Sequence, residues 1–486
     1  MRRIPRLFAF PTMFTLTAVA LGGLHCGGND APGSPVQPPD IPGGGCDASK
    51  PLDQGGCDVS DGAGIFVAPT GADTNPGTKA APLKTVQAGI DKAKADPARR
   101  NVYVCTGTYP ESIALDGAAD GVAIHGGFGC GDWVYAATTV TLAPTKPGYV
   151  VRVKESASVV ETFELRAMDA DTPGGSSIVV FVEAATGMTF RRVKIFAGKG
   201  ADGNKGDSAT AVLTPANDGN DAAQEPGAER VCSCGSASKI STGGAGGGGS
   251  GKIASAGAPL VTGADASAGK PYPNCASSGS AGAYDGANGL DGELAKGASS
   301  IGSVSSNGWA PEPGQPGNEG GIGQGGGGGA GTPGVHLSPG GGCGGCGGKA
   351  GGAGQGGGAS IGVIALNSVV RVQTSAITTS DAGNGGKGGD GSLGQPGGKS
   401  GAPAPAGFPY CKGGTGGRGG IGSGGGGGAG GSSIGVVAVG QNLFEVDKAT
   451  VFTIGSAKPG APGGGPKFAA GGSGIDGLAI RILGPK

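Results

Sequence analysis

One apolar block is written three times in this chain, and each copy is separated from the next by a glycine-dominated excursion. The copies begin Ser176-Ser177-Ile178-Val179-Val180, Ala359-Ser360-Ile361-Gly362-Val363 and Ser432-Ser433-Ile434-Gly435-Val436. Each runs on through a second apolar stretch to Ile195, Ile377 or Val451, which lie 17, 16 and 17 residues from the leading isoleucine. A unit this short cannot bury its own apolar face, so it reads as one coil of a solenoid whose neighbours complete the core. Stacked coils would set Ile178, Ile361 and Ile434 above one another as inward-facing ladders about 4.8 Å apart.

Composition limits what else the chain can be. Glycine is 114 of 486 residues, against about 7% in ordinary proteins. Charged residues are 15% and the net charge is -1, which argues against nucleic acid, since that partner needs a basic footprint. After the amino terminus no stretch reaches the ~18 apolar residues of a membrane span.

Residues 1–25 read as a signal peptide: Arg2, Arg3 and Arg6 precede an apolar stretch from Leu7 to Leu24. Leu21-Gly22-Gly23-Leu24-His25-Cys26 resembles the lipobox of bacterial lipoproteins, with His25 in place of the usual small residue. The resemblance implies acylation of Cys26 and a membrane anchored through that lipid, at the outer membrane or cell surface. The alternative is simple secretion. Residues 26–64 read as a Gly/Pro-rich tether.

Eleven cysteines minus an acylated Cys26 leave an even number in an oxidising compartment. Sequence neighbours suggest Cys46 with Cys57 and Cys105 with Cys130. Cys232, Cys234, Cys275, Cys343, Cys346 and Cys411 lie in or beside the glycine-rich excursions. Disulfide staples are the simpler reading. Cys232-x-Cys234 with Cys343-x-x-Cys346 as a zinc site is the other.

From Ile65 the composition becomes that of a folded domain. Ile65-Phe66-Val67-Ala68 reads as a strand. Leu83, Val86, Ile90 and Ala93 then recur at helical spacing up to Pro97, and 101–105 alternates as a strand. Gly71 to Thr78, Pro82 to Ile90, Val102-Tyr103-Val104 and Gly107-Thr108-Tyr109 together resemble the entry of pectin-lyase-like right-handed parallel β-helix proteins. Ile124-His125-Gly126-Gly127-Phe128 with Trp133 resembles a coil of exported bacterial members. The resemblance implies an all-β, right-handed parallel β-helix with a short helix capping the unpaired strand edges of its amino-terminal end. Further strands are expected at 122–125, 139–142, 149–153 and 162–165, with a last partial coil at 475–483, in roughly six or seven coils.

The excursions have their own period. Glycine falls at every third residue from Gly413 to Gly431, Gly385 to Gly397, Gly342 to Gly357 and Gly314 to Gly329. Three residues per turn is the period of polyproline-II-type helices, so ordered polyglycine-II-like loops are expected, with flexible linkers as the alternative. These stretches resemble the glycine-rich repeats of PGRS-type proteins. Pro396, Pro403, Pro405, Pro409 and Cys411 mark a hairpin tip. The expected organisation is a cap and first coils at 65–198, a glycine/cysteine-rich insertion at 199–358, a coil at 359–380, an insertion at 381–431, and last coils at 432–486. The excursions should stack on one side.

Enzymes of the resembled family cleave acidic polysaccharides with aspartates on adjacent coils and a basic residue. The nearest material here is Arg191, Arg192 and Lys194 with Asp202 and Asp207, and the pair Asp169 and Asp171. No carboxylate ladder recurs in the later coils, which offer Arg371 and Lys448. His125 and His336 sit in no hydrolase motif. Asp291 and Asp390 stand too far apart for calcium repeats. No catalytic residue, metal or cofactor is therefore assigned. The expected role is structural, adhesive or binding, and the alternative is a carbohydrate-active enzyme or polysaccharide-binding module. Ice or surface binding is a third reading, weakened by Lys387, Asp390, Lys399 and Arg418.

Overall fold

The computed structural model describes residues 59–484, apart from 237, 249–250, 266, 272–282, 332–336, 406–409 and 442. Cys26, Cys46, Cys57, Cys275 and His336 lie outside the described residues. Among the described residues three parallel sheets of seven, six and six strands dominate, with one α-helix. The all-β, solenoid-like arrangement is explicit in the pairing. Ser177–Glu183, Met188–Arg191 and Lys194–Phe196 form one coil, and each strand pairs in parallel with its counterpart in the next coil: Ser360–Leu366, Val369–Gln373 and Ala376–Thr378. Those pair in turn with Ser433–Val439, Leu443–Val446 and Val451–Thr453. Ala479–Leu483 adds a last strand to the first of these rows.

Several corners take a left-handed backbone from residues other than glycine. Thr162, Arg192 and Thr374 have φ of 60°, 51° and 48°, and Glu155, Ala184 and Asn367 have 55°, 52° and 49°. Such conformations cost about 1–3 kcal/mol where the surroundings do not hold them. Here each is held by a bond to the coil above: Thr162 N–H to Arg191 O, Arg192 N–H to Gln373 O, and Asn367 N–H to Val439 O.

Ile178, Ile361 and Ile434 stack in register, and Ile480 continues the row. They do not face the solenoid interior. They join Phe181, Ile364 and Val437 in a second apolar cluster with Trp309, Val304 and Ile301 of the long insertion. The interior is filled instead by Val180, Val182, Val363, Ala365 and Val436 with Phe190, Val372, Ile195 and Ile377. The reason is a break in alternation: Val179 and Val180 both belong to the interior cluster while Phe181 does not. The isoleucine two residues before Val180 is thereby released to the face that the insertion covers. Each isoleucine buried there is worth about 1.5–3 kcal/mol.

The helix α1 (Val86–Ala95) closes the amino-terminal end. Thr85 caps it by accepting the Ala88 N–H, and Glu111 accepts the N–H groups of Val86 and Gln87, donors that no helix can satisfy internally. Val86, Ile90 and Ala93 are buried against Ile65, Val67 and Val102 of the first two strands. Gly89 is required by the close approach, since a Cβ there would come within 3 Å of Val67 and Val102. Strands occur at Ala123–Phe128, Val140–Leu142, Val151–Lys154 and Glu164–Arg166, with a further one at Val159–Glu161 that the sequence pattern did not announce.

Candidate functional site

The glycine-rich excursions form a bundle of extended runs joined by backbone hydrogen bonds at every third residue. The first outward run (199–222) lies parallel to the second (381–402): Gly200, Gly203 and Gly206 donate to Asp381, Asn384 and Lys387. The first return run (340–358) lies parallel to the second (412–431), with Gly342, Gly345, Gly348 and Gly351 donating to Gly414, Gly417, Gly420 and Ser423. A third outward run (456–465) and a third return run (469–477) follow the same paths. Two runs of the long insertion, 283–298 and 311–329, make a further layer.

The second return run is the axis of this bundle. It bonds to 340–358, 381–402, 456–465, 469–477, 283–298 and 311–329, and so has a neighbour on six sides. Three residues per turn give each residue one of three directions, and a side chain has no room wherever a neighbour stands. The sequence follows that constraint locally. Where the third runs cover the axis the chain reads Gly424-Gly425-Gly426-Gly427-Gly428-Ala429-Gly430-Gly431; where they stop, Thr415, Arg418 and Ile421 take the freed position. A Cβ on Gly419, Gly425 or Gly428 would fall within 3 Å of the carbonyl oxygen of Cys346, Gly352 or Gln355.

Donors left at the margin are capped by side chains. Asp285, Asn288 and Asp291 accept the N–H groups of Thr415, Arg418 and Ile421 at 2.7, 2.8 and 2.7 Å. Asp202, Asp218 and Asp221 do the same for Asn384, Lys399 and Ala402. Asp390 accepts the Gly465 N–H at 2.6 Å, and that bond, aided by Lys387 and Lys205, holds its carboxyl below the usual carboxylate range. Asp381 is likewise held low by the hydroxyl and N–H of Ser456. Sequence reading set Asp202 near Arg191 as catalytic material and left Asp291 and Asp390 isolated; in the structure all three are backbone caps. Asp169 also caps, accepting the Lys199 N–H at 2.6 Å.

Cysteine spacing reports local geometry. Cys232 and Cys234 sit two apart at the end of the strand Arg230–Ser233, and Cys343 and Cys346 three apart on the first return run. Two is the repeat of one strand face and three the repeat of one run edge, so the pairs align as the disulfides Cys232–Cys343 and Cys234–Cys346. That bonding replaces the zinc alternative. Cys105 is bonded to Cys130, and Cys411 is also disulfide-bonded. Among the described residues no group of three His, Cys, Asp or Glu is placed to hold a metal ion, and no helix is long and apolar enough to cross a membrane.

Arg191 and Arg192 meet a carboxylate that sequence reading passed over. Tyr103, His125, Glu161, Arg191 and Gln373 share one register position across the seven-stranded sheet. Glu161, 1% exposed, bonds His125 Nδ1 at 3.1 Å through Oε2 and Arg192 at 2.5 Å through Oε1, with Arg191 3.7 Å away. Arg191 donates onward to Gln373 at 3.2 Å. A segment tied down by Cys105–Cys130 closes over this ladder: Trp133 packs edge-on against Phe66, and Tyr135 bonds Thr162 and lies 5.5 Å from the Arg192 guanidinium. Both Glu161 oxygens are engaged, so the ladder's chemistry is to neutralise buried charge across coils. The signal in sequence is a polar or aromatic residue at the same place in each short strand, visible only once register is known.

No family model matches the chain, and no curated protein matches it. Among solved structures, a rhamnogalacturonan lyase matches at 18% identity over 34% of this chain and 42% of that one, with a TM-score of 0.15. A deglycosylated pectin methylesterase from Aspergillus niger matches at 13% identity over 33% and 62%, with a TM-score of 0.17. The catalytic domain of a GH87 alpha-1,3-glucanase in complex with tetrasaccharides matches at 10% identity over 82% and 69%, with a TM-score of 0.11. The chain spans less than two thirds of the length of the first two. At these scores no argument about fold or activity rests on the likeness; the fold rests on the strand pairing.

Proposed function

We propose that this chain is an exported structural or adhesive protein, a right-handed parallel β-helix whose polyglycine-II-like loops present a stiff, weakly charged contact face. The observation that carries this reading is the second return run with its six neighbours. A lattice bonded in every direction fixes side chains such as Lys205, Lys387 and Asp390, all on its outer rows, at set positions. Such an array suits repeated contact with a surface or polymer better than the closing of a pocket. Disulfides accord with an oxidising compartment. In this reading Cys26 carries the lipid anchor that places the protein at the outer membrane or cell surface, and its insertions are of the PGRS kind.

A carbohydrate-active β-helix is the second reading, although the ladder of His125, Glu161 and Arg191 is buried and its carboxylate already engaged. A glycan array run beside lyase and hydrolase assays separates the two. Binding without turnover is expected. Turnover abolished by Arg191→Ala would establish the enzyme instead. Palmitate labelling that persists in Cys26→Ser would remove the anchor.

A further inference from the structure

The outer face of the seven-stranded sheet is drier than a bare solenoid face can be. Beside the ladder that runs from Tyr103 to Gln373 lies a second outward row: Asn101, Ala123, Val159, Thr189, Arg371 and Glu445. On the six-stranded sheet of Glu164–Arg166 and Lys194–Phe196, the outward Arg166 and Lys194 are exposed, as on any uncovered face. In the second row Asn101, Ala123, Val159 and Thr189 are only 3%, 6%, 6% and 7% exposed. Val159 stands between Ala123 and Thr189, whose side chains are too short to shield it. The segment bearing Trp133 and Tyr135 packs with Phe66 and Phe128, and that cluster takes in neither Ala123 nor Val159. No other apolar cluster of the described residues takes them in either. Asn101, Tyr103, Arg191, Arg192 and Arg371 each make a further interaction.

Val59, the first described residue, packs against the Phe66 and Tyr103 cluster at one edge of this face. The chain therefore reaches the sheet there, and what precedes Val59 fits the row in length, polarity and charge. From Asn101 to Arg371 the row takes four interstrand steps, about 19 Å at 4.8 Å each. Residues 46–57, doubled back by the Cys46–Cys57 pairing that their proximity in sequence suggests, reach about 18 Å at 3.3 Å per residue. Leu52 is the one large aliphatic residue between Pro42 and Asp58, and Asp47, Asp53 and Asp58 outnumber Lys50. The face itself sets Arg191, Arg192 and Arg371 against Glu161 and Glu445, so an acidic occupant completes its charge.

We propose that residues 46–58 lie across this face as a strap, with Leu52 buried on the row and the aspartates beside its guanidinium groups. The tether that the sequence suggests over 26–64 then runs free only as far as Cys46. The strap also governs access. The ladder of His125, Glu161 and Arg191 meets solvent only when the strap lifts, and a polymer bound there competes with the chain's own leader. This holds whatever the glycine bundle binds, and with or without a lipid on Cys26.

Two labelling experiments on the full, disulfide-bonded chain test it, both read by mass spectrometry. Hydroxyl-radical footprinting should find Leu52 oxidised at least fivefold more slowly than Leu213, which is 74% exposed. Phenylglyoxal should modify Arg371 at least fivefold more slowly than Arg166, whose side chain is 49% exposed. Leu52→Asp combined with Asp53→Lys should raise the Arg371 rate at least fivefold. Arg166 should keep its rate in that variant, which shows the solenoid intact. Leu52 oxidised as fast as Leu213 overturns the proposal. So does protection of Arg371 that survives both substitutions, because the cover is then another segment.

Discussion

Asp202 accepts the backbone N–H of Asn384 at 2.6 Å across 182 residues of sequence. Asp218 and Asp221 repeat the relation with Lys399 and Ala402. Each cap is exposed, so each is worth roughly 0.5–1.5 kcal/mol. Asp202→Ala, Asp218→Ala and Asp221→Ala together should lower the thermal midpoint by several degrees in scanning calorimetry, with near-additive single effects. A triple variant that melts with the wild type would show the caps to be idle.

Glycine tolerance should follow position in the bundle. Gly425→Ala drives a Cβ within 3 Å of the Gly352 carbonyl in the axial run, whereas Gly131 has open space around it and an ordinary φ. Overpacking of this kind costs about 1–3 kcal/mol. Urea unfolding should show that loss for Gly425→Ala and almost none for Gly131→Ala. Equal midpoints for the two variants would contradict the lattice.

The two insertion disulfides close nearly the same loop, spanning 111 and 112 residues. Removing one pair leaves the other to hold the chain, so Cys232→Ser with Cys343→Ser should cost little. Removing both releases the whole loop, a loss of about 4.7 kcal/mol by chain entropy. The contrast is read from denaturant midpoints of the single-pair and double-pair variants. Additive, equal losses would argue against this redundancy.

Glu161→Gln should be costly without touching any exposed surface. It keeps shape but leaves the buried Arg191 and the part-buried Arg192 beside a neutral amide, and breaking a buried pair costs about 3–5 kcal/mol. Chemical denaturation checks the magnitude. Glu161→Gln with Arg192→Met should recover part of it, and no recovery would assign the loss to something other than stranded charge.

Acid sensitivity should run through the caps. The folded pKa of Asp390 lies below its unfolded value because of the Gly465 hydrogen bond first, with Lys387 and Lys205 helping. Its contribution is therefore complete above the unfolded value of about 3.9 and is lost as pH falls through the folded one. Wild-type melting temperature should drop more steeply than that of Asp390→Asn as pH falls below about 4. Parallel pH profiles would show that Asp390 carries no linkage.

The repeat was legible because solenoid coils restate their own sequence: Ile178, Ile361 and Ile434 could be aligned by eye, and they do pair in register. Which way they face was not legible, since two consecutive interior valines, Val179 and Val180, break the alternation that sequence reading assumes. Triplet glycines left ordered loops and flexible linkers both open, because glycine permits extended runs without imposing them; backbone bonds at every third residue join the runs. The aspartate caps were invisible for the opposite reason: an exposed Asp every few residues means nothing until one knows which run lies beside it. Glu161 was missed because its short strand, Val159–Glu161, carries no periodicity of its own.

The six-sided packing of the second return run restricts how this molecule can change over generations. Inserting one residue turns every later position by a third of a revolution and drives side chains into occupied space. Whole triplets keep every face aligned, so the axial run can lengthen or shorten only in steps of three. The outlying first outward run is freer: it fits seven residues from Ala209 to Ala216 beside six from Asp390 to Pro396 and then resumes its pairing.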